Sequence, residues 1–295
     1  MEEYISDNSL YIRSKNNSMI NRKMIGRVLG MLLFIELGMF LLCAGVSAGY
    51  GESDYKYFLY TCIINAVVGG LLLLYGRGAE NKMSRRDGYC VVTLSWVFFT
   101  FFGMLPFYFS GSIDTITNAF FETMSGFTTT GATILDDIES LSHGMLFWRS
   151  LTQWIGGLGI VFFTIAILPI FTTGGVQLFS AESTGVTHDR THPKINVMAK
   201  WLWTIYLVLT VSETVLLMFG GMSLFDAICQ SFATTATGGY STKQNSISYW
   251  NSPYIEYVVA IFMIISSINF SLFLMCLKGK VGRLFKDEET HWFLG

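Results

Sequence analysis

Charge is what this sequence has least of. Asp, Glu, Lys and Arg make up 14% of its 295 residues, where an ordinary soluble domain carries roughly 25%. With 52% hydrophobic residues, that deficit points to a chain built for a bilayer. The net charge of −2 says little, because in a membrane protein the placement of charges matters more than their sum. The five cysteines (Cys43, Cys62, Cys90, Cys229, Cys276) are scattered in apolar surroundings with no CxxC pair. They read as reduced packing residues and not as a disulfide framework or a thiolate metal centre. His188 and His192 have HxxxH spacing, but Pro193 follows at once in a polar loop, so no metal site is expected there. Residues 1–24 are polar and basic, without an apolar stretch ending in small residues, so a cleaved leader is not expected. A Walker loop, a Ser/His/Asp set and a nucleic-acid patch are all missing, which excludes the corresponding enzyme and nucleic-acid-binding classes.

A helix needs about 20 apolar residues to cross the hydrocarbon core. Six runs qualify: Val28 to Ala48, broken only by Glu36; Tyr57 to Tyr75; Tyr89 to Phe109; Ser150 to Phe171, starting near Met145; Trp201 to Gly221, broken by Glu213; and Tyr257 to Leu277. Short cytoplasmic loops collect Lys and Arg. With the N-terminus inside, the inner segments hold Arg13, Lys15, Arg22, Lys23, Arg27, Arg77, Lys82, Arg85, Arg86, Arg190, Lys194, Lys200, Lys278, Lys280, Arg283 and Lys286. The outer segments hold only Lys56 and Lys243, with Arg149 near the outer end of the fourth span. The N-terminus is therefore expected in the cytoplasm.

Two segments fit neither span nor ordinary loop. Ser112 to Leu135, SIDTITNAFFETMSGFTTTGATIL, lies between spans three and four; Ser223 to Thr242, SLFDAICQSFATTATGGYST, lies between spans five and six. Each opens on a helix-start signal, Ser112/Asp114 or Ser223/Asp226. About a dozen helix-compatible residues follow, ~18 Å of helix, which is too short to span. Extracellular loops with amphipathic turns are the plainer reading. Against it, the segments carry Phe120, Phe121, Met124, Phe127, Ile228 and Phe232, and the order span, short helix, Thr-rich stretch with central glycine, span occurs twice. The central glycines, Gly131 and Gly238, are 107 residues apart. Both segments are accordingly expected to be re-entrant from outside.

Extended backbone at membrane depth leaves carbonyls unpaired and persists only where it lines a wet cavity or binds something. A bare cation suits it, since backbone oxygens can replace a hydration shell. Threonine adds stiffness, glycine permits angles that turn successive carbonyls the same way, and the short helices aim their negative C-terminal ends at the same place. The chemistry reaches a cation-selective filter.

The repeated unit resembles the potassium-channel pore. FFETMSGFTTTGAT followed by FWRSLTQWIGGLGIVFF, then FATTATGGYST and LFKDEETHWFL, closely resemble the Trk/Ktr/HKT superfamily of potassium transporters, the bacterial Trk-type pore subunit in particular, over essentially the whole chain. The resemblance implies an all-α membrane protein with six transmembrane helices and two re-entrant pore helices with extended filter strands. It implies potassium uptake, with potassium as transported substrate and no cofactor. Thr129, Thr130 and Gly131 match one filter strand and Ala236, Thr237 and Gly238 the second; Glu122, Thr128, Ala132, Thr133 and Gly239 stand as filter support. Gly131-Ala132-Thr133 and Gly238-Gly239-Tyr240 replace the channel's Gly-Tyr-Gly, so fewer ion sites are expected. The resemblance further implies a bacterial plasma (inner) membrane location, a homodimer and a cytoplasmic nucleotide-binding regulatory subunit.

The expected organisation is a cytoplasmic segment 1–24, two extra N-terminal helices and a loop at 25–88, a first pore repeat 89–171, a cytoplasmic loop 172–197, a second repeat 198–278 and a linker 279–295. The family has four repeats and this chain shows two, so a fragment is expected; pairing of two chains would also complete the ring. The alternatives are a non-conducting fragment and a secondary transporter for a small solute. Among single residues, Glu122 is the intramembrane acid nearest the filter, and Asp226 reads as a helix cap. Glu36 and Glu213 are lone acids that could meet a basic side chain or a wet crevice. Arg149 would either reach the interface or pair with an acid near the filter. Gly156-Gly157-Leu158-Gly159 reads as close helix packing and not as a nucleotide loop.

Overall fold

The computed structural model describes residues 20–79, 84–159, 195–268, 272–273 and 292, and the described residues contain helices and no strand. In chain order these are α1 (Arg22–Gly49), α2 (Tyr55–Tyr75), α3 (Arg85–Gly103), α4 (Leu105–Phe109), α5 (Ile116–Phe127), α6 (His143–Gly157), α7 (Ile195–Phe219), α8 (Leu224–Thr235), a single 3-10 turn at Ser246–Trp250, and α9 (Pro253–Ser267).

Among the described residues, four stretches are long and apolar enough to cross a membrane: Arg22–Gly49, Tyr55–Tyr75, Arg86–Phe109 and Lys200–Phe219. They coincide with the first, second, third and fifth expected spans. The fourth and sixth begin as α6 and α9, and most of their expected continuations lies outside the described residues, as do His188 and His192. The third is not one smooth helix. Pro106 lacks the N–H that would continue the ladder, and α4 starts afresh around it.

Helix starts follow capping chemistry. Ser84 and Asp87 form a reciprocal capping box at the head of α3, and Asp87 Oδ1 also accepts from the Asn21 N–H at 2.8 Å, tying α3 to the start of α1. Ser142 Oγ accepts from the Met145 N–H at the head of α6. The cap of α5 is Thr115, not Ser112 or Asp114. Ser112 Oγ is instead shared with Ser110 Oγ at 2.7 Å, while Thr115 has the extended backbone a cap requires.

The helices α1 and α2 pack along one another so closely that a Cβ on Gly30 would stand 2.8 Å from the Gly69 carbonyl oxygen. Across this pair Asn65 Nδ2 donates to Glu36 Oε2 at 3.0 Å. That amide, rather than a basic group, is the partner shown for Glu36. The other face of α1 carries Phe40 onto Trp148 of α6, ring centroids 4.6 Å apart. Trp148 Nε1 donates to the Gly103 carbonyl at 2.8 Å, closing α3 onto α6. The two N-terminal helices thus buttress a unit of α3, α4, α5 and α6, and α7, α8 and α9 form a second unit against it.

The α1–α2 contact predicts a position-specific cost. Gly30→Val should destabilise the purified protein by about 1–3 kcal/mol. Gly38→Val, on the same helix with nothing near its added side chain, should leave it within about 0.5 kcal/mol. Thermal unfolding in detergent reads both, and equal effects would contradict the described packing.

Candidate functional site

The two short helices are equivalent residue for residue. Helices α5 and α8 each have 12 residues, Ile116–Phe127 and Leu224–Thr235, capped by Thr115 and Ser223. Past each helix end the N–H groups fold back in the same pattern: Thr128 to Met124 O, Thr129 to Gly126 O and Thr130 to Ser125 O in one; Ala236 to Phe232 O, Thr237 to Thr234 O and Gly238 to Ala233 O in the other. Positive φ recurs in step, at Thr129 (54°) and Gly131 (74°), then at Thr237 (56°) and Gly239 (95°). Matching therefore runs at 108 residues, Thr129 with Thr237 and Gly131 with Gly239. The one-residue-shorter pairing of Gly131 with Gly238 is corrected: Gly238 answers to Thr130, and Ala236 answers to Thr128. Two adjacent glycines made the letters ambiguous, and backbone handedness resolves them.

Alternating left- and right-handed residues turn successive N–H groups to one side of a strand, here toward the helix end that accepts them, and the carbonyls to the other. Among the described residues, no hydrogen bond is donated to the carbonyls of residues 128–131 or 236–239. The next carbonyl, that of Ala132, is taken by Ser125 Oγ at 2.6 Å and Tyr240 Oη at 3.2 Å. The strands meet backbone to backbone, since a Cβ on Gly131 would overlap the Gly238 carbonyl oxygen.

Helix α6 forms the wall behind both. Arg149 and Gln153 are four residues apart and share a face. Arg149 is 2% exposed; its Nε donates to Glu122 Oε1 at 2.7 Å, its Nη1 to the Ser241 carbonyl at 3.0 Å, and its guanidinium lies 3.5 Å over the Tyr240 ring. It pairs with the acid of α5 and does not reach for an interface. Glu122 in turn accepts from Thr133 Oγ1 at 2.9 Å and the Ile134 N–H at 3.0 Å. Tyr240, just past the second strand, crosses to the first unit, its Oη donating to the Glu122 carbonyl at 2.8 Å. Gln153 Oε1 accepts from the Tyr240 N–H at 3.0 Å. A Cβ on Gly156 would run into the Phe127 carbonyl, and one on Gly157 would stand 2.8 Å from Ala236 Cα, so these glycines let α6 touch the base of both strands.

Around this centre, Asp226 is not itself the cap of α8. Ser223 caps the helix, and Asp226 accepts from Ser223 Oγ at 2.8 Å and Thr242 Oγ1 at 2.6 Å, clamping the helix start to the chain beyond the second strand. Glu213 of α7 stands behind the end of α8, where Thr235 Oγ1 donates to it at 3.4 Å. The hydroxyls of Thr128 and Thr130 are engaged with one another at 2.8 Å. Gln153 and Tyr240 were not singled out as site residues by sequence. A lone glutamine in an apolar helix was the available signal for the first; for the second, there was a tyrosine directly after the glycines. Sequence also missed a cavity of about 300 Å³ lined by residues including Tyr50, His143, Phe225, Asp226 and Lys243, beside which Glu52 accepts from the His143 N–H at 2.9 Å. No group of His, Cys, Asp or Glu fit for a metal ion occurs among the described residues.

With this geometry in view, comparison with known proteins gives one consistent family. Residues 55–292 match the TrkH family, described as cation transport protein. The Trk system potassium uptake protein TrkH of Escherichia coli (strain K12) is 41% identical over 274 residues, covering 92% of this chain and 57% of that protein. Its namesake in Halomonas elongata is 36% identical over 275 residues, covering 92% and 57%. The crystal structure of the potassium transporter TrkH from Vibrio parahaemolyticus superposes with a TM-score of 0.80 at 34% identity, covering 94% of this chain and 56% of that one. The chain thus spans a little over half the length of these relatives.

The buried Arg149–Glu122 pair predicts a non-additive pattern. Arg149→Leu leaves a carboxylate buried without its cation and should cost about 3–5 kcal/mol, whereas the Glu122→Gln/Arg149→Leu double variant should recover a large part. Thermal unfolding of the purified variants decides; a double variant as unstable as the sum of both singles would contradict a direct pair.

Proposed function

Because this chain belongs to the TrkH family of cation transport proteins, we propose that it forms part of a potassium-conducting pore and binds dehydrated potassium through the carbonyls of its two Thr/Gly strands. The observation that carries the reading is the row of unengaged carbonyls on residues 128–131 and 236–239, with the N–H groups of residues 128–131 and 236–238 drawn to a helix end on the opposite side. A carbonyl facing no donor is costly at membrane depth unless it meets a cation or water. The proposed ligands are Thr129, Thr130 and Gly131 with Thr237, Gly238 and Gly239; Thr128 and Ala236 provide the innermost turn. Glu122, Arg149 and Thr133 support the first strand from behind.

Other features of the reading rest on the Trk-type resemblance and on the distribution of Lys and Arg. The protein lies in the bacterial plasma membrane with its N-terminus cytoplasmic. Residues 89–171 and 198–278 are two of four pore repeats, and 25–88 form the two additional N-terminal helices. The complete protein is a homodimer served by a cytoplasmic nucleotide-binding subunit.

Gly131→Ser and Gly239→Ser test the carbonyl strands, because each forces a side chain onto a backbone at positive φ, a strain of about 1–3 kcal/mol. In cells lacking other potassium uptake systems, the complete protein bearing either change should lose about tenfold in uptake of rubidium relative to sodium, with Gly38→Ser as a neutral control. Unchanged ratios in both variants would overturn the assignment.

A further inference from the structure

We propose that Gln153 is a specificity-determining positioning residue, whose amide sets both carbonyl strands from behind and so tunes the preference for potassium over sodium. The proposal rests on the filter reading above.

Gln153 lies inside α6, fully buried. The orientation of its amide follows from chemistry: the Tyr240 N–H, 3.0 Å away, can donate only to the oxygen. That fixes Oε1 on Tyr240 and turns Nε2 the other way. Nε2 then makes no hydrogen bond among the described residues. It is instead packed against the glycines of both strands. A Cβ on Gly238 would run into the whole amide, Oε1 at 2.6 Å and Nε2 at 2.7 Å, and at Gly131 Nε2 is the amide atom nearest an added Cβ, at 3.8 Å.

An unsatisfied buried donor works against stability, so packing alone does not account for an amide where leucine or methionine would fill similar space. Its placement has a direct consequence for the strands. Gly131 and Gly238 bear unengaged carbonyls, and Nε2 is the buried donor beside them. A carbonyl that swings out of the cation path finds a hydrogen bond waiting at Nε2. A cation that engages all the carbonyls at once holds them against that competing donor. A smaller cation that engages fewer does not. The other end of the amide holds the exit of the second strand through Tyr240, whose hydroxyl is anchored on the Glu122 and Ala132 carbonyls of the first unit. Gln153 therefore couples the two strands both at their glycines and at their exit.

The two ends are separable by substitution. Gln153→Glu keeps an acceptor for the Tyr240 N–H and removes the donor facing the glycines; Gln153→Leu removes both. In the complete protein, in cells lacking other potassium uptake, initial uptake of rubidium and of sodium is measured for both variants beside Gly131→Ser. The ratio cancels differences in protein amount, which are all that a purely structural role would change. The expected result is a fall of about tenfold in the rubidium-to-sodium ratio for Gln153→Glu and at least as much for Gln153→Leu. A ratio unchanged in both, with Gly131→Ser shifted, overturns the role of Gln153 and leaves the filter standing. Unchanged Gly131→Ser overturns the filter and this proposal with it. Should a variant give no uptake, thermal protection of the purified protein by potassium against sodium replaces the ratio, and wild-type relative protection by the two ions overturns the proposal.

Discussion

Arg149 and Glu122 sit together at 2.7 Å, each almost wholly buried, and the central architecture hangs on that pair. A guanidinium inside a membrane protein is costly unless its charge and its donors are met. Here the charge is met by Glu122, one further donor by the Ser241 carbonyl, and the open face by the Tyr240 ring. Each of those partners is also a structural joint. Glu122 holds the chain as it leaves the first strand, Ser241 lies just beyond the second, and Tyr240 bridges the two. One buried cation thus fixes the spacing of two backbones that share no sheet ladder.

The rest of the chain supplies rigidity to α6, which carries that cation. Trp148 is its opposite face: the indole donates to the Gly103 carbonyl and packs on Phe40, so α1 and α3 set the depth and rotation of α6. One helical turn beyond Gln153, Gly156 and Gly157 remove side chains where α6 meets Phe127 and Ala236, the last residue of the first short helix and the first beyond the second. Trp148 on one face, and glycine at the level where the other meets both helix ends, make α6 a wedge driven against those ends.

Much of this was legible because its causes are local. Lengths of apolar runs anticipated the four long apolar stretches among the described residues, Ser223 marked the start of α8, and the repeated Thr/Gly wording pointed to the two carbonyl strands. What stayed hidden depends on tertiary contact. Gly238 and Gly239 are the same letter, and only the handedness imposed by the α8 end assigns Gly239 to the place of Gly131. Ser112 and Asp114 look like caps, but the Ser110 hydroxyl claims Ser112 and the backbone turns at Thr115. Gln153 is one polar residue in an apolar helix, and nothing near it in sequence announces a partner 87 positions away. The lone acids divided in the same way: Asn65 reaches Glu36 from a neighbouring helix, 29 positions on.

The residues at positive φ carry the last step. Thr129 and Thr237 adopt φ of 54° and 56°, a region that costs a non-glycine residue roughly 1–2 kcal/mol and suits a β-branched one least. Glycine would relax that strain at both places, yet threonine occupies both. What threonine offers is stiffness, since a β-branched side chain restricts its own backbone and rotamers. The strand bears no ladder bonds to keep its carbonyls aligned, so the alignment has to come from the residues themselves and from the helix end that takes their N–H groups. Glycine is then kept for Gly131 and its partner Gly239: at the first, the neighbouring strand leaves no room for a Cβ; at the second, the backbone turns farthest into the left-handed region. Strained threonine and glycine thus share the left-handed positions for opposite reasons, the one to hold carbonyls in line, the other to let two backbones touch at Gly131 and to take the widest turn at Gly239.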